Sequence, residues 1–216
     1  LFIERHLIPL RERYPGLRIV LEHITTEEAV NYVRAAHLGG DTRMAATITP
    51  HHLHLNRNAM FIGGLRSDFY CLPVVKRECH RRALVAAAVS GLPCFFLGTD
   101  SAPHPRSGKE SSCGCAGIFN ALHALESYAA VFEQEGALDR LEGFASEHGP
   151  RFYKLPLNTD TVTLVRVAQT VPSRLVPLPS PQIVDDVLSE AEWPVLFHAG
   201  ETLQWCVDSN WQPGGN

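Results

Sequence analysis

The chain has 216 residues, of which 45% are apolar and 19% charged, with a formal net charge of −4 and 11 histidines. This length suits one large domain or two small ones; no window approaches the ~18 consecutive apolar residues of a membrane span, and the mildly acidic balance gives no electrostatic reason to expect nucleic acid. Cys71, Cys79, Cys94, Cys113, Cys115 and Cys206 lack the spacing of a secreted disulfide framework, which points to a reducing, cytoplasmic compartment.

The opening "LFIERHLIPLRERYPG" places apolar residues at helical spacing (Phe2, Ile3, Leu7, Leu10) with no start signal ahead of them, so a helix entered partway is expected, with native residues upstream of Leu1. "LRIVLEH" then reads as a short strand ending at His23. "TTEEAVNYVRAAH" is an amphipathic helix, with Thr25 and Glu28 as a capping box and Gly39-Gly40 as its stop. "RMAATITP" is a second strand, leading into a polar loop "HHLHLNRNAMFIGGLRSD". "FYCLPVV" is extended but irregular, because Pro73 cannot serve a central strand. "KRECHRRALVAAAVSG" is a helix with a Leu84, Val85, Ala88 core stripe and Gly91 at its end. "PCFFLGTD" is a third strand, ending at Asp100. A long loop to about Gly117, a helix to Glu135 and another from Ala137 to Glu147 follow. In the last 60 residues the character changes: five prolines between Pro172 and Pro194 break helices, "TVTLVRV" and "ETLQWCV" read as short antiparallel strands, and the tail "WQPGGN" is expected to lack order.

Strand-helix alternation on this scale implies a parallel sheet covered by helices. Three strands are too few for a closed eight-stranded barrel, which takes about 250 residues, and half a barrel fits the count. Two strands end in metal-type ligands, His23 and Asp100, and strand C-termini face the active site in such barrels. Imidazole plus carboxylate is a catalytic zinc set, although either residue alone could be structural. Their shared position leaves the metal and structural readings evenly matched. Cys113-Gly114-Cys115 lacks a second cysteine pair and reads as a structural loop. His51, His52 and His54 read as solvated loop residues, with a site-flanking role for His52 as the alternative, while Arg66 and Arg77 read as structural.

"EHITT", "AATITPHHL", "NRNAMFIGGLR", "YCLPVVKR" and above all "FLGTDSAPH…KESSCGCAGIFNA" resemble the C-terminal part of dihydroorotase, of the short bacterial type within the metal-dependent amidohydrolase superfamily. The resemblance covers nearly all of residues 1–168 and returns at "AGETLQW". It implies an α/β fold, the C-terminal part of a TIM-type (β/α)8 barrel incomplete at its N-terminus. Residues 1–168 would hold the later strands and helices, and 169–216 a C-terminal extension. It also implies two zinc ions in the intact site, with His23 on the more exposed one and Asp100 on the other, acting in addition as proton shuttle. His104 and the backbone of Ala116 would bind the substrate carboxylate, and the backbone of Leu72 the ring amide. The reaction implied is reversible hydrolysis of the cyclic amide of L-dihydroorotate to N-carbamoyl-L-aspartate in pyrimidine biosynthesis. The partner is then a small molecule, with no nucleic acid or membrane, and the resemblance allows a homodimer. The remaining ligands, including a bridging carboxylated lysine, would lie upstream, so the chain alone is expected to be inactive. Where the family usually has Pro-His this chain has Ser67-Asp68, and it has Pro105, Ser107, Leu122 and Lys154 at other positions of departure. A hydantoinase- or allantoinase-type enzyme is one alternative, though it would lack "KESSCGCAG"; a non-catalytic barrel-derived scaffold that kept His23 and Asp100 is the other.

Overall fold

The structure, a computed structural model, describes residues 1–173 and 192–208. At its centre β1 (Ile19–Leu21), β2 (Met44–Ile48) and β3 (Phe95–Leu97) form a parallel sheet in the order β1-β2-β3, with Ile19 opposite Met44 and Ala46 opposite Phe95. Parallel neighbours require a crossover, and helices supply it. A π-helical turn (Ile3–Leu7) and α1 (Ile8–Arg13) precede β1; α2 (Glu27–Leu38) links β1 to β2, and α3 (Pro50–His54) and α4 (Glu78–Ala88) lie between β2 and β3. After β3 come α5 (Arg106–Lys109), α6 (Ala124–Gln134) and α7 (His148–Tyr153).

Side chains alternate across a strand, so β2 divides its residues between two faces. Met44, Ala46 and Ile48 join Val30 and Val33 of α2, Leu84, Val85 and Ala88 of α4, and Tyr128, Val131 and Phe132 of α6 in one buried cluster. On the other face Phe96 meets the rings of Phe152 and Tyr153 at 5.9 Å each. The strands are thereby held between two packed layers, which fixes their ends in space. Those ends are what position the site.

Beyond residue 160 two short antiparallel pairs form, as the sequence suggests: β4 (Leu164–Val165) with β7 (Cys206–Val207), and β5 (Gln169–Thr170) with β6 (Thr202–Leu203). The second strand segment is tied back to the main body by Phe197 N–H donating to Phe119 O at 2.8 Å. Among the described residues no helix is long and apolar enough to cross a membrane. The "WQPGGN" tail and most of the Pro172–Pro194 segment lie outside the described residues.

Several local expectations are corrected. Strands β1 and β3 stop before His23 and Asp100, because both residues take positive φ (41° and 45°), which an extended ladder cannot continue. Helix α2 is capped by Thr26, whose Oγ1 accepts from Ala29 N, one residue later than the Thr25–Glu28 box requires. The helix expected from Gly117 begins only at Ala124, after a 3-10 turn. The segment expected to be one helix from Ala137 to Glu147 is split into a 3-10 turn (Leu138–Arg140) and a π-helical turn (Gly143–Glu147), leading into α7. His51, His52 and His54 do not sit in a solvated loop: they form α3, and His51 and His52 are 0% and 2% exposed. Thr49 caps this short helix by accepting from His52 N, and Pro50 occupies its first turn.

Candidate active site

His23 and Asp100 lie just past the C-terminal ends of β1 and β3, on either side of the end of β2. Thr47 of β2 joins the two. Its Oγ1 accepts from His23 N–H at 2.7 Å, and a Cβ on Gly98 would come within 2.6 Å of Thr47 Cβ, so the β3 exit is pressed against the same side chain. Tyr128 Oη donates to Ile48 O at 2.6 Å from below, bracing the β2 end. On the far side Asn120 Nδ2 donates both to Thr99 O at 2.9 Å and to His51 Nδ1 at 2.9 Å. The residue before Asp100 is therefore fixed to α3.

His23 Nδ1 is buried and has no protein partner among the described residues. An unpaired buried polar atom is costly unless a ligand satisfies it. The Asp100 carboxylate is solvent-exposed and makes no hydrogen bond or ion pair among the described residues. In the same part of the fold, donor atoms of His51, His52 and Cys71 all lie within 4.8 Å of one another.

The buried group His51, His52 and Cys71 has the donor types of a metal site; both ring nitrogens of His52 are taken, while His51 keeps Nε2 without a hydrogen-bond partner among the described residues. His52 Nε2 donates to Pro73 O at 2.8 Å, and its Nδ1 accepts from Thr49 Oγ1 at 2.6 Å. Burial pushes the Cys71 thiol up to about 11 and holds His52 down at about 4 and His51 well below the usual range, so all three are neutral. They form a packed polar floor beneath the strand ends. His23 and Asp100 stand at the strand ends with open donor atoms, and an imidazole nitrogen and a carboxylate fit zinc.

A second cluster stands beside Asp100. His104 Nε2–H donates to Ala116 O at 3.1 Å. Gly117, at φ 155°, brings that strand of loop so close that a Cβ would lie 2.5 Å from Ala102 Cβ and 2.9 Å from His104 Nε2. Gly117 N–H donates to Tyr70 O at 3.0 Å, which places the exposed Leu72 two residues from this junction. The structure thus brings His104 and Ala116 into contact and sets the Leu72 turn beside them. Among the described residues the N–H groups of Ala116 and Leu72 donate to no protein acceptor.

One residue that sequence reasoning missed is central here. Lys109 is 4% exposed, and its Nζ donates to Tyr70 O (3.0 Å), Cys115 O (3.1 Å) and Gly117 O (2.6 Å). A lysine in a Gly/Ser/Cys-rich loop reads as a solvated residue, and only the density of carbonyl-rich loop around it could have signalled otherwise.

No family model matches the sequence. The curated dihydroorotase of Synechococcus sp. (strain RCC307) is 67% identical over 204 residues, covering 94% of this chain and 54% of that protein. The chain belongs to the dihydroorotase family. Among solved structures, dihydroorotase of Saccharomyces cerevisiae in complex with 5-fluoroorotic acid superposes with a TM-score of 0.81 at 34% identity, covering 96% of this chain and 55% of the other. L-Hydantoinase of Arthrobacter aurescens shares the fold (TM-score 0.72, covering 95% of this chain and 45% of that one), but at 17% identity. The chain spans about half the length of the dihydroorotases it matches.

Proposed function

We propose that this chain carries part of the metal-binding rim of a zinc-dependent dihydroorotase, and that the complete enzyme interconverts L-dihydroorotate and N-carbamoyl-L-aspartate in pyrimidine biosynthesis. The observation that carries this reading is the pair of unpartnered donors, His23 Nδ1 and the Asp100 carboxylate, at neighbouring strand ends in a chain 67% identical to a dihydroorotase. In this reading β1, β2 and β3 are later strands of a (β/α)8 barrel. Residues 1–168 supply its strands and helices, and 169–216 form an extension. The enzyme is cytoplasmic, takes a small-molecule substrate and is compatible with a homodimer.

His23 would hold one zinc ion and Asp100 the other, with further ligands supplied from outside this chain. When bound, zinc supplies a Lewis acid that polarises the ring carbonyl and makes water acidic enough to attack near neutral pH. The chain's own residues do the rest. Asp100 takes the proton of the attacking water and delivers it to the ring nitrogen as the C–N bond breaks. His104, whose Nε2–H is occupied by Ala116 O, has its Nδ1 side left to face the substrate carboxylate. The free N–H of Ala116 meets the same carboxylate, and the backbone of Leu72 holds the ring amide. The ligand of the S. cerevisiae relative, 5-fluoroorotic acid, is a ring bearing such a carboxylate.

The test is a chimaera in which this chain replaces its matching part in the Synechococcus sp. (strain RCC307) relative. Ring opening of dihydroorotate is expected, with Asp100→Asn lowering kcat by ~10²–10⁴-fold. An Asp100→Asn chimaera as fast as its parent would end the proposal.

A further inference from the structure

Peptide geometry makes the Lys109 contacts directional. Cys115 C=O and Ala116 N–H belong to one peptide plane, and in a trans peptide the two bonds point in opposite directions. Since the Cys115 carbonyl is turned towards the Lys109 ammonium at 3.1 Å, the Ala116 N–H is turned away from it. The Gly117 carbonyl, at 2.6 Å, pins the Gly117–Ile118 peptide in the same way. Ala116 O, between them, is taken by His104. The carbonyls of Cys115, Ala116 and Gly117 are therefore all occupied, while the Ala116 N–H is unpaired among the described residues. A cation on a carbonyl also polarises the amide behind it and strengthens that N–H as a donor.

The charge itself has no direct counter-ion. Among the described residues no carboxylate forms an ion pair with Lys109 within 4.0 Å, and Asp68 acts on it only through space. A buried ammonium bonded to neutral carbonyls keeps its charge within the loop, offset through space by Asp68, whose Oδ1 is buried without a hydrogen-bond partner, and an anion next to Ala116 would be attracted by it.

We propose that Lys109 is a positioning residue of the substrate-carboxylate subsite: from beneath the loop it aims and polarises the Ala116 N–H and supplies the positive field that holds a carboxylate ligand. This rests on the dihydroorotase reading above, but it concerns binding rather than bond breaking. It makes Lys109 distinct from His104, which touches the ligand directly in that reading.

The test uses the same chimaera, with 5-fluoroorotate as the probe in calorimetry and dihydroorotate in turnover. Lys109→Met removes the charge and the donors. It is expected to weaken 5-fluoroorotate by ~10–100-fold, as loss of a charge-assisted contact does. In turnover KM rises by a similar factor, while kcat stays within about threefold and zinc content is unchanged. Lys109→Gln keeps a donor without the charge and is expected to show the same loss, so the test survives if the Met variant does not fold. Wild-type affinity in either folded variant, or a loss confined to kcat, overturns the inference. Turnover without Lys109-dependent affinity overturns this inference alone. Lys109-dependent binding of 5-fluoroorotate without turnover overturns the dihydroorotase reading alone, and the absence of both overturns both.

Discussion

Substituting Gly117 by Ala should damage stability and ligand binding together. The backbone there holds φ at 155°, a region that residues with a Cβ rarely enter. The added methyl would lie 2.5 Å from Ala102 Cβ and 2.9 Å from both His104 Cδ2 and Nε2. Ordinary carbon contacts sit at about 3.5–4.0 Å, so the loop must open by about 1 Å. Neither neighbour can move cheaply, since a Cβ follows its backbone and the His104 ring is held by Ala116 O. Backbone strain costs about 1–3 kcal/mol and overpacking a similar amount, so the expected loss of unfolding free energy is about 2–6 kcal/mol. Urea unfolding of Gly117→Ala in the chimaera reads this directly. Ala102→Gly removes the nearer clash and should return about 0.5–3 kcal/mol of it as a coupling energy. A loss below about 1 kcal/mol, with KM unchanged, would refute the close approach of the two loops.

Tyr128→Phe removes the Oη that donates to Ile48 O in a fully buried position, and should cost about 1–3 kcal/mol in the same unfolding assay. His52 is held at about 4 by burial against an ordinary value of 6.5. Between those values the unfolded chain binds a proton that the folded chain refuses, so stability falls as pH drops from 6.5 towards 4 and levels off below. Unfolding measured at steps across that range should therefore be flatter in His52→Gln by up to about 1.4 kcal/mol per pH unit, and parallel curves would contradict a buried neutral ring. The 216-residue chain expressed alone should not turn over dihydroorotate, because two ligands divided between two zinc ions fall short of the usual three per catalytic ion. Among the described residues each of β1 and β3 also pairs only with β2, leaving edges that favour association, visible as high-molecular-weight species in size-exclusion chromatography.

The strands, their parallel pairing and the position of His23 and Asp100 at the strand exits were legible because short apolar runs broken by Gly and Pro leave few other readings. His23 and Asp100 stood out for the same reason: a polar side chain at the end of an apolar run has to be answered by something. What the sequence concealed was burial of polar groups by distant partners. His51 and His52 look solvated in a His-rich stretch, yet both are enclosed, with Asn120, 69 residues from His51, bonded to His51 Nδ1 and Pro73 O bonded to His52 Nε2. Lys109 is hidden by the same logic, since its acceptors are backbone carbonyls that no side-chain pattern announces. Lys154 adopts φ 59° at the end of α7, the left-handed position that suits the Gly usual in the family.

The central claim is that His23 and Asp100 hold zinc. Crystals of the chimaera grown with zinc, with diffraction recorded on both sides of the zinc absorption edge, address it without reference to activity. Anomalous density should lie about 2.0–2.2 Å from a His23 ring nitrogen and from an Asp100 carboxylate oxygen. His23→Ala should remove the first of these peaks and leave the second. Zinc density on His51, His52 and Cys71, with His23 and Asp100 bare, would contradict the account.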